Sequence, residues 1–119
     1  MCAPALSLEE YFANGPSHER PIFEAVLSRL VDAGPIHVEP VAVGLFLKRA
    51  RSFAELRPRD KWVNLLFSVP YEIVSPRIQS HLRAGPGKTF YVVRLHSPAD
   101  VDDELAGWLL DAYFETPPA

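Results

Sequence analysis

Cysteine is nearly absent from this sequence of 119 residues, which contains only Cys2. A single cysteine excludes a disulfide bond within the chain and any metal site built from several thiolates. Long hydrophobic runs are also missing, because the longest, residues 41–47, is far shorter than the roughly 20 apolar residues that a membrane-spanning helix needs. Residues 1–15 have neither the basic start nor the apolar centre of a secretory signal. We therefore expect a cytoplasmic protein with no membrane partner.

Length and composition predict one folded domain. Hydrophobic residues make up 48% of the chain and charged residues 23%, which is typical of soluble globular proteins and not of disordered ones. A chain of this size buries roughly two-thirds of the surface that it exposes when unfolded, so it can form a real core. We expect a single domain over residues 1–119, with residues 1–6 and 116–119 as loose tails.

Three segments carry helical signals. Ser7 and Glu10 form a capping box, which predicts a short helix over residues 8–13. Apolar residues at helical spacing predict a second helix over about residues 18–33. Ser97, followed by Pro98, matches an N-cap with proline at the first helical position, and predicts that the last helix begins there.

Between the second and the last helix, the hydrophobic period changes to two, which is typical of strands. We predict four strands, over residues 41–48, 52–57, 62–69 and 89–96. The first three form an antiparallel meander, and the structure of residues 70–88 stays open because proline and glycine interrupt it. The predicted fold is α+β: a two-layer sandwich in which helices back an antiparallel sheet of about four strands, in the order α-α-β-β-β-irregular-β-α.

Basic residues are concentrated in the predicted strands. Residues 44–96 contain 10 basic and 3 acidic side chains, a net charge of +7, whereas residues 1–43 and 97–119 carry net charges of −4 and −6. If the acidic helices cover one face of the sheet, positive potential remains on the open face. This layout favours an anionic partner.

Pleat alternation predicts a ligand-binding face opposite the core. It gathers aromatic rings and cations together with Asn64, and it adds Arg51, Phe53 and Arg57 if the middle strand keeps its phase. The predicted ligand-binding residues are Phe46, Lys48, Arg51, Arg57, Trp62, Arg94 and His96. Rings stack on bases and guanidinium groups bind phosphates, so the ligand would be nucleic acid or a small acidic molecule. The alternative is that the rings are core residues beneath a helix and the cations lie at strand ends.

Two other functions stay open. The same face would serve as the interface of a self-associating module, forming a homodimer or binding another protein. A small enzyme would use His96 as a proton donor and Glu55 as a base, although an acidic side chain among arginines favours an ion pair instead. No nucleophile motif is present, so we assign no catalytic residues.

Motifs for metals and cofactors are incomplete. The acidic run at residues 100–104 lies at a predicted helix start, where negative charge offsets the helix dipole. The four histidines lack the spacing of zinc ligands. Residues 85–89 end like a phosphate-binding loop, but Leu82 stands where the first glycine of that motif belongs, and a strand follows. We predict no metal and no cofactor.

Two segments resemble a family of small bacterial domains. They are GLFLKRARSFAELRPRDKWVNLLFSV and SPADVDDELAGWLLDAY, with an aromatic and basic strand, the pair Phe53 and Ala54, and a D-x-D-D-E helix start followed by W-L-x-x-A-Y. These marks resemble the domain of unknown function 5655 family over about residues 6–114. The resemblance implies mainly a shared fold and supplies no activity for particular residues.

Overall fold

The computed structural model describes residues 7–49, 51–85 and 88–115. These residues form three α-helices, a 3₁₀ turn and six strands: α1 Leu8–Ala13, α2 Glu19–Leu30, β1 His37–Val41, β2 Gly44–Lys48, β3 Ser52–Pro58, β4 Val63–Val69, β5 Ile78–Gly85, β6 Lys88–Leu95, the turn Pro98–Asp100, and α3 Asp103–Glu115. The strands form one antiparallel sheet in the order β1-β2-β3-β4-β6-β5. The α+β class is confirmed, whereas Cys2 and the predicted tails lie outside the described residues.

The predicted number of strands, about four, is wrong. Residues 41–48 read as a single strand, but the chain turns at Ala42 and Val43, so β1 and β2 form a hairpin with Pro40 opposite Leu45. The segment whose structure was left open contains β5, which pairs with β6 at the edge of the sheet. Irregular register at both ends of β5 interrupts the alternation by which a strand is recognised in the sequence.

The predicted antiparallel meander is confirmed in β2, β3 and β4. Strand β4 shows the expected alternation, because Val63, Leu65, Phe67 and Val69 are all buried. Alternate residues of β2 and β6 join them in one hydrophobic cluster with the inward side chains of α2 and α3. The buried helical members include Ile22, Val26, Leu30, Leu105, Leu109 and Tyr113.

A β-bulge between β2 and β3 changes the direction of Phe53. Leu47 lies opposite Ala54 but Lys48 lies opposite Ser52, so Phe53 is the extra residue. Phe53 and Ala54 are both buried, and the Phe53 ring meets the Tyr113 ring edge-on at 5.4 Å between centroids. The middle strand therefore does not keep its phase, and Phe53 belongs to the core.

The helix starts are partly as predicted. The capping box of α1 is confirmed, with the Ser7 hydroxyl accepting from the backbone N–H of Glu10. Ser97 makes no side-chain cap, and the turn Pro98–Asp100 follows it. The last helix is capped instead by Asp102, which accepts from the backbone N–H of Leu105 at 3.1 Å, so α3 begins at Asp103 and not at the predicted position. No helix among the described residues is long and apolar enough to cross a membrane.

Gly44 allows β2 and β3 to approach each other closely. It is buried with a φ of +159°, and a Cβ atom at this position would lie 2.0 Å from the backbone oxygen of Leu56. Any larger residue would therefore have to push two central strands apart. In contrast, a Cβ atom at Gly107, on the exposed side of α3, would meet nothing within 4 Å.

Gly44→Ala should lower the free energy of unfolding by about 2 kcal/mol or more, because strand separation adds to the backbone penalty. Gly107→Ala is the matched control and should raise it by about 0.5–1 kcal/mol, as in helix interiors generally. Urea denaturation measures both values. Equal effects of the two substitutions would contradict the close contact between β2 and β3.

Glu19, at the first turn of α2, is a fully buried carboxyl group. One of its oxygens accepts from the Tyr11 hydroxyl at 2.7 Å, while Oε1 has no hydrogen-bond partner. Burial raises the pKa of Glu19 above its ordinary value of 4.5, although the Tyr11 hydrogen bond and nearby His18 partly oppose the increase. The protein thus holds this carboxyl in a place that disfavours its charged form.

A raised pKa in the folded state means that the folded protein binds the Glu19 proton more tightly than the unfolded chain does. The contribution of this bound proton to the free energy of unfolding is therefore complete below pH 4.5. It is lost as the pH rises through the higher pKa that Glu19 has in the folded protein. Thermal unfolding of wild type and Glu19→Gln across this range should show the difference in Tm moving in favour of the variant as pH rises. Tyr11→Phe should shift that change to higher pH; a difference independent of pH would refute the assignment.

Candidate ligand-binding site

Unpaired cations lie at the two ends of the sheet. Among the described residues, six basic side chains make no ion pair: Arg59, Lys61 and Arg94 at one end, and Arg51, Arg83 and Lys88 at the other. The first end contains the β3–β4 turn and the last residues of β6, and we call it the Trp62 end. The second contains the β2–β3 turn and the β5–β6 connection, and we call it the Lys88 end.

The structure does not bring the seven predicted ligand-binding residues into one cluster. Arg57, Trp62, Arg94 and His96 lie at the Trp62 end, Lys48 and Arg51 lie at the Lys88 end, and Phe46 lies between them, opposite Glu55. Lys48 and Arg94 are three strand spacings apart, about 14 Å across the sheet, and are further separated along the strands. Lys48 also forms an ion pair with Glu39 at 3.2 Å.

The Trp62 end contains a stacked cation and ring. The guanidinium carbon of Arg94 lies 4.6 Å from the centroid of the Trp62 ring, within the range of a cation–π interaction. The indole N–H donates to Oδ1 of Asn64 at 2.8 Å, which fixes the ring orientation. Trp62 is half-buried, so it is not a core residue beneath a helix.

Backbone contacts hold Trp62 in place beside a cleft. Its carbonyl oxygen accepts from the backbone N–H of Arg59 at 2.7 Å, and Nε2 of His18 lies 3.2 Å from the same oxygen. The cleft, of about 680 Å³, separates the α1–α2 turn from the β3–β4 turn. It is lined by Pro16, Pro58, Arg59, Asp60 and Trp62. Trp62 therefore borders both this cleft and the sheet face that carries Arg94.

Arg57 differs from Arg94 because its charge is already matched. Its Nε and Nη2 atoms donate to Oε2 of Glu55 at 3.0 and 2.9 Å, which confirms the ion pair expected for Glu55. In the register Arg57, Asn64 and Arg94 occupy one row across β3, β4 and β6. The free guanidinium in this row is thus that of Arg94.

The structure separates Glu55 from His96. Glu55 lies in the row of Leu66 and Val92, four residues before His96 along β6 and its continuation, so the two positions are about 10 Å apart across the sheet and about 13 Å along it. The backbone N–H of His96 donates to Oδ2 of Asp100 at 2.7 Å. No reacting atom can lie within hydrogen-bond reach of both side chains, so we do not propose this pair as an acid and base.

An apolar stripe crosses β4, β6 and β5 on the open face. Leu66, Val92 and Phe90 are half-buried there, and Leu82 on β5 is 68% exposed. Phe46, also half-buried, is separated from this stripe by Glu55, which lies in the same row. Among the described residues, the helices contribute their buried side chains to the opposite face. The apolar stripe therefore lies between the two basic ends of the open face.

Sequence reasoning missed a groove at the Lys88 end. Residues 70–75 form one wall and the pair β5–β6 forms the other, enclosing about 550 Å³. His81, Arg83 and Lys88 line this groove, together with Tyr91 and Thr89. The available signal was the pair of basic residues His81 and Arg83 on either side of Leu82, a short period-two pattern that the irregular register of β5 confines to a few positions.

Comparison with known proteins identifies the family. Residues 8–115 match the family model of DUF5655, a domain of unknown function. A comparison with curated proteins and with solved structures found no match. Because the family match covers nearly the whole chain, the predicted resemblance is confirmed. The chain belongs to the DUF5655 family.

Proposed function

We propose that this domain is a binding module whose Trp62 end holds an anionic ligand that contains a planar ring, either nucleic acid or a small acidic molecule. The observation that carries the proposal is the Arg94 guanidinium, stacked on the Trp62 ring and without an ion pair among the described residues. The unit recognised would be a nucleotide or a molecule of similar chemistry. The ring of the ligand would stack on Trp62, and its acidic group would accept hydrogen bonds from the Arg94 guanidinium.

The stacked pair is arranged before any ligand binds. Asn64 fixes the indole through its hydrogen bond, and the indole in turn supports the guanidinium plane. A ligand therefore pays little conformational entropy to order these side chains. Charge-assisted hydrogen bonds from a guanidinium to phosphate or carboxylate are among the strong ones in proteins.

Neighbouring cations extend the site. Arg59 and Lys61 lie in the turn before Trp62 and make no ion pair among the described residues, so they are placed to meet further phosphates. Arg59 and Trp62 also line the cleft, where a ring has access to the indole. Asp60 lines the same cleft, and its negative charge would exclude an acidic group from that position. The acidic part of the ligand is therefore expected on the Arg94 side of the indole.

Arg94→Gln should weaken binding of a labelled decathymidylate by roughly 10- to 100-fold, the loss expected for a hydrogen bond to a charged group. The dependence of log K on log salt should also become shallower by about 0.7, the value for one phosphate of a single strand. Trp62→Leu should weaken binding by about 5- to 150-fold, from loss of stacking. Fluorescence anisotropy over a salt series measures all three quantities.

Arg29→Gln is the matched control, because it removes the same charge from the last turn of α2, where Arg29 pairs with Asp103. It should leave binding unchanged; an equal loss in Arg29→Gln and Arg94→Gln would overturn the site. Adenosine monophosphate, tested in parallel, separates the two ligand classes. Tighter binding of the oligonucleotide supports nucleic acid, equal binding supports a small acidic ligand, and binding of neither refutes the proposal.

A second candidate function is self-association through the apolar stripe of the open face. The observation that favours it is the exposure of Leu82 beside the half-buried Phe90, on adjacent strands at the edge of the sheet. Contiguous apolar surface with polar surroundings is typical of protein interfaces. A twofold arrangement would place the same stripe on both partners.

Sedimentation velocity or light scattering at increasing concentration should then show a dimer. Leu82→Glu should abolish it without affecting the fold, since this side chain is exposed, and Leu66→Glu should act at the centre of the stripe. Val31→Glu is the control, an equally exposed apolar residue on the helical side, 65% exposed. A monomer at all concentrations would exclude this function.

A further inference from the structure

We propose a second ligand site in the groove at the Lys88 end, which takes a small organic anion: a phosphate or carboxylate group carried by an apolar or aromatic body. The two proposed sites share no residue. Each can therefore fail in experiment without the other.

The wall of the groove is anchored on both sides. The Tyr91 hydroxyl accepts from the backbone N–H of Ile73 at 2.8 Å and donates to the carbonyl oxygen of Tyr71 at 3.3 Å. The Tyr71 hydroxyl donates to Oδ2 of Asp111 on α3 at 2.6 Å. Residues 70–75 are thereby fixed to both β6 and α3, so the groove exists before a ligand arrives.

The floor of the groove comes from the register of β5 and β6. His81 lies opposite Tyr91 and Arg83 lies opposite Thr89, so all four side chains project from the same face of the sheet. The rings of His81 and Tyr91 are 6.2 Å apart. This face belongs to the helical side, since Tyr91 is buried in the core, but His81 and Arg83 remain exposed.

The charge of the groove favours an anion. Arg83 and Lys88 line the groove and make no ion pair among the described residues. The ammonium group of Lys88 lies 5.1 Å from the centroid of the Phe90 ring, which belongs to the open face, so Lys88 stands at the edge of the groove. Glu72 is the carboxylate that also lines the groove, so two cations outnumber one anion among the lining residues. With the Thr89 hydroxyl as a further donor, the acidic group is expected beside Arg83 and Thr89.

The remaining lining fits an apolar body. Ile73, Ile78 and the Tyr91 ring face the groove, and Val74 at its rim is 90% exposed. An exposed valine beside an aromatic wall leaves apolar surface in contact with water until something covers it. The volume, about 550 Å³, is within the range of pockets that bind small molecules. A free inorganic anion would leave this apolar surface uncovered.

Phenyl phosphate, benzoate and inorganic phosphate are the probes, titrated against the full chain labelled with ¹⁵N and followed by amide chemical shifts. Phenyl phosphate and benzoate should shift the amide signals of Ile73, Arg83 and Thr89 at lower ligand concentrations than they shift the signals of the Trp62 end. Inorganic phosphate should bind at least about 5-fold more weakly than phenyl phosphate, because it lacks the apolar body. Equal binding of both phosphates would refute the apolar part of the site.

Arg83→Gln should weaken phenyl phosphate at least about 5-fold, and folding should be unaffected because the side chain is exposed. Arg29→Gln, which removes a cation from α2 outside both proposed sites, should leave binding in the groove unchanged. Val74→Ser should weaken phenyl phosphate but not inorganic phosphate. Equal losses in Arg83→Gln and Arg29→Gln, or shifts spread over all exposed cations, would overturn the proposal.

Discussion

The alternation of side chains along a strand is the constraint from which the rest of this structure follows. On β4, Val63, Leu65 and Phe67 enter the core, so Asn64 and Leu66 must face the other way. The helices supply enough apolar surface to cover one face of the sheet. Residues on the other face are left with water or a ligand, and a register error of one position would exchange the two sets. The stacking of Arg94 on Trp62 depends on this phase.

Local signals predicted the parts of the fold that local interactions determine. The capping box of Ser7 and Glu10 involves only its own helical turn, and the alternation in β4 and β6 repeats within a single strand, so both were readable without a structure. The position of Trp62 on a half-exposed face follows from the same alternation. The fold class came from these patterns, and the family resemblance implied a shared fold but no site, because the family is a domain of unknown function.

What the sequence did not reveal depends on pairing partners. The bulge that buries Phe53 is defined by its register with β2, and the hairpin turn at Ala42 and Val43 lies inside an apolar run with no glycine before Gly44. The single predicted site became two ends because strand order, and not strand content, decides whether Lys48 stands near Arg94. Strands β3 and β4 lie between β2, which carries Lys48, and β6, which carries Arg94, and this order is known only from the complete sheet topology.

Strand β6 links the two basic ends. Lys88 opens it and Arg94 lies six residues later, so both side chains belong to the same face and their backbone positions are about 20 Å apart. The half-buried Phe90 and Val92 stand between them on that face. A mononucleotide is too short to reach from one cation to the other, whereas an extended chain of several phosphates is not. Strand β6 thus fixes the distance between the two cations, and the length of a polyanion determines whether it can bind both of them at once.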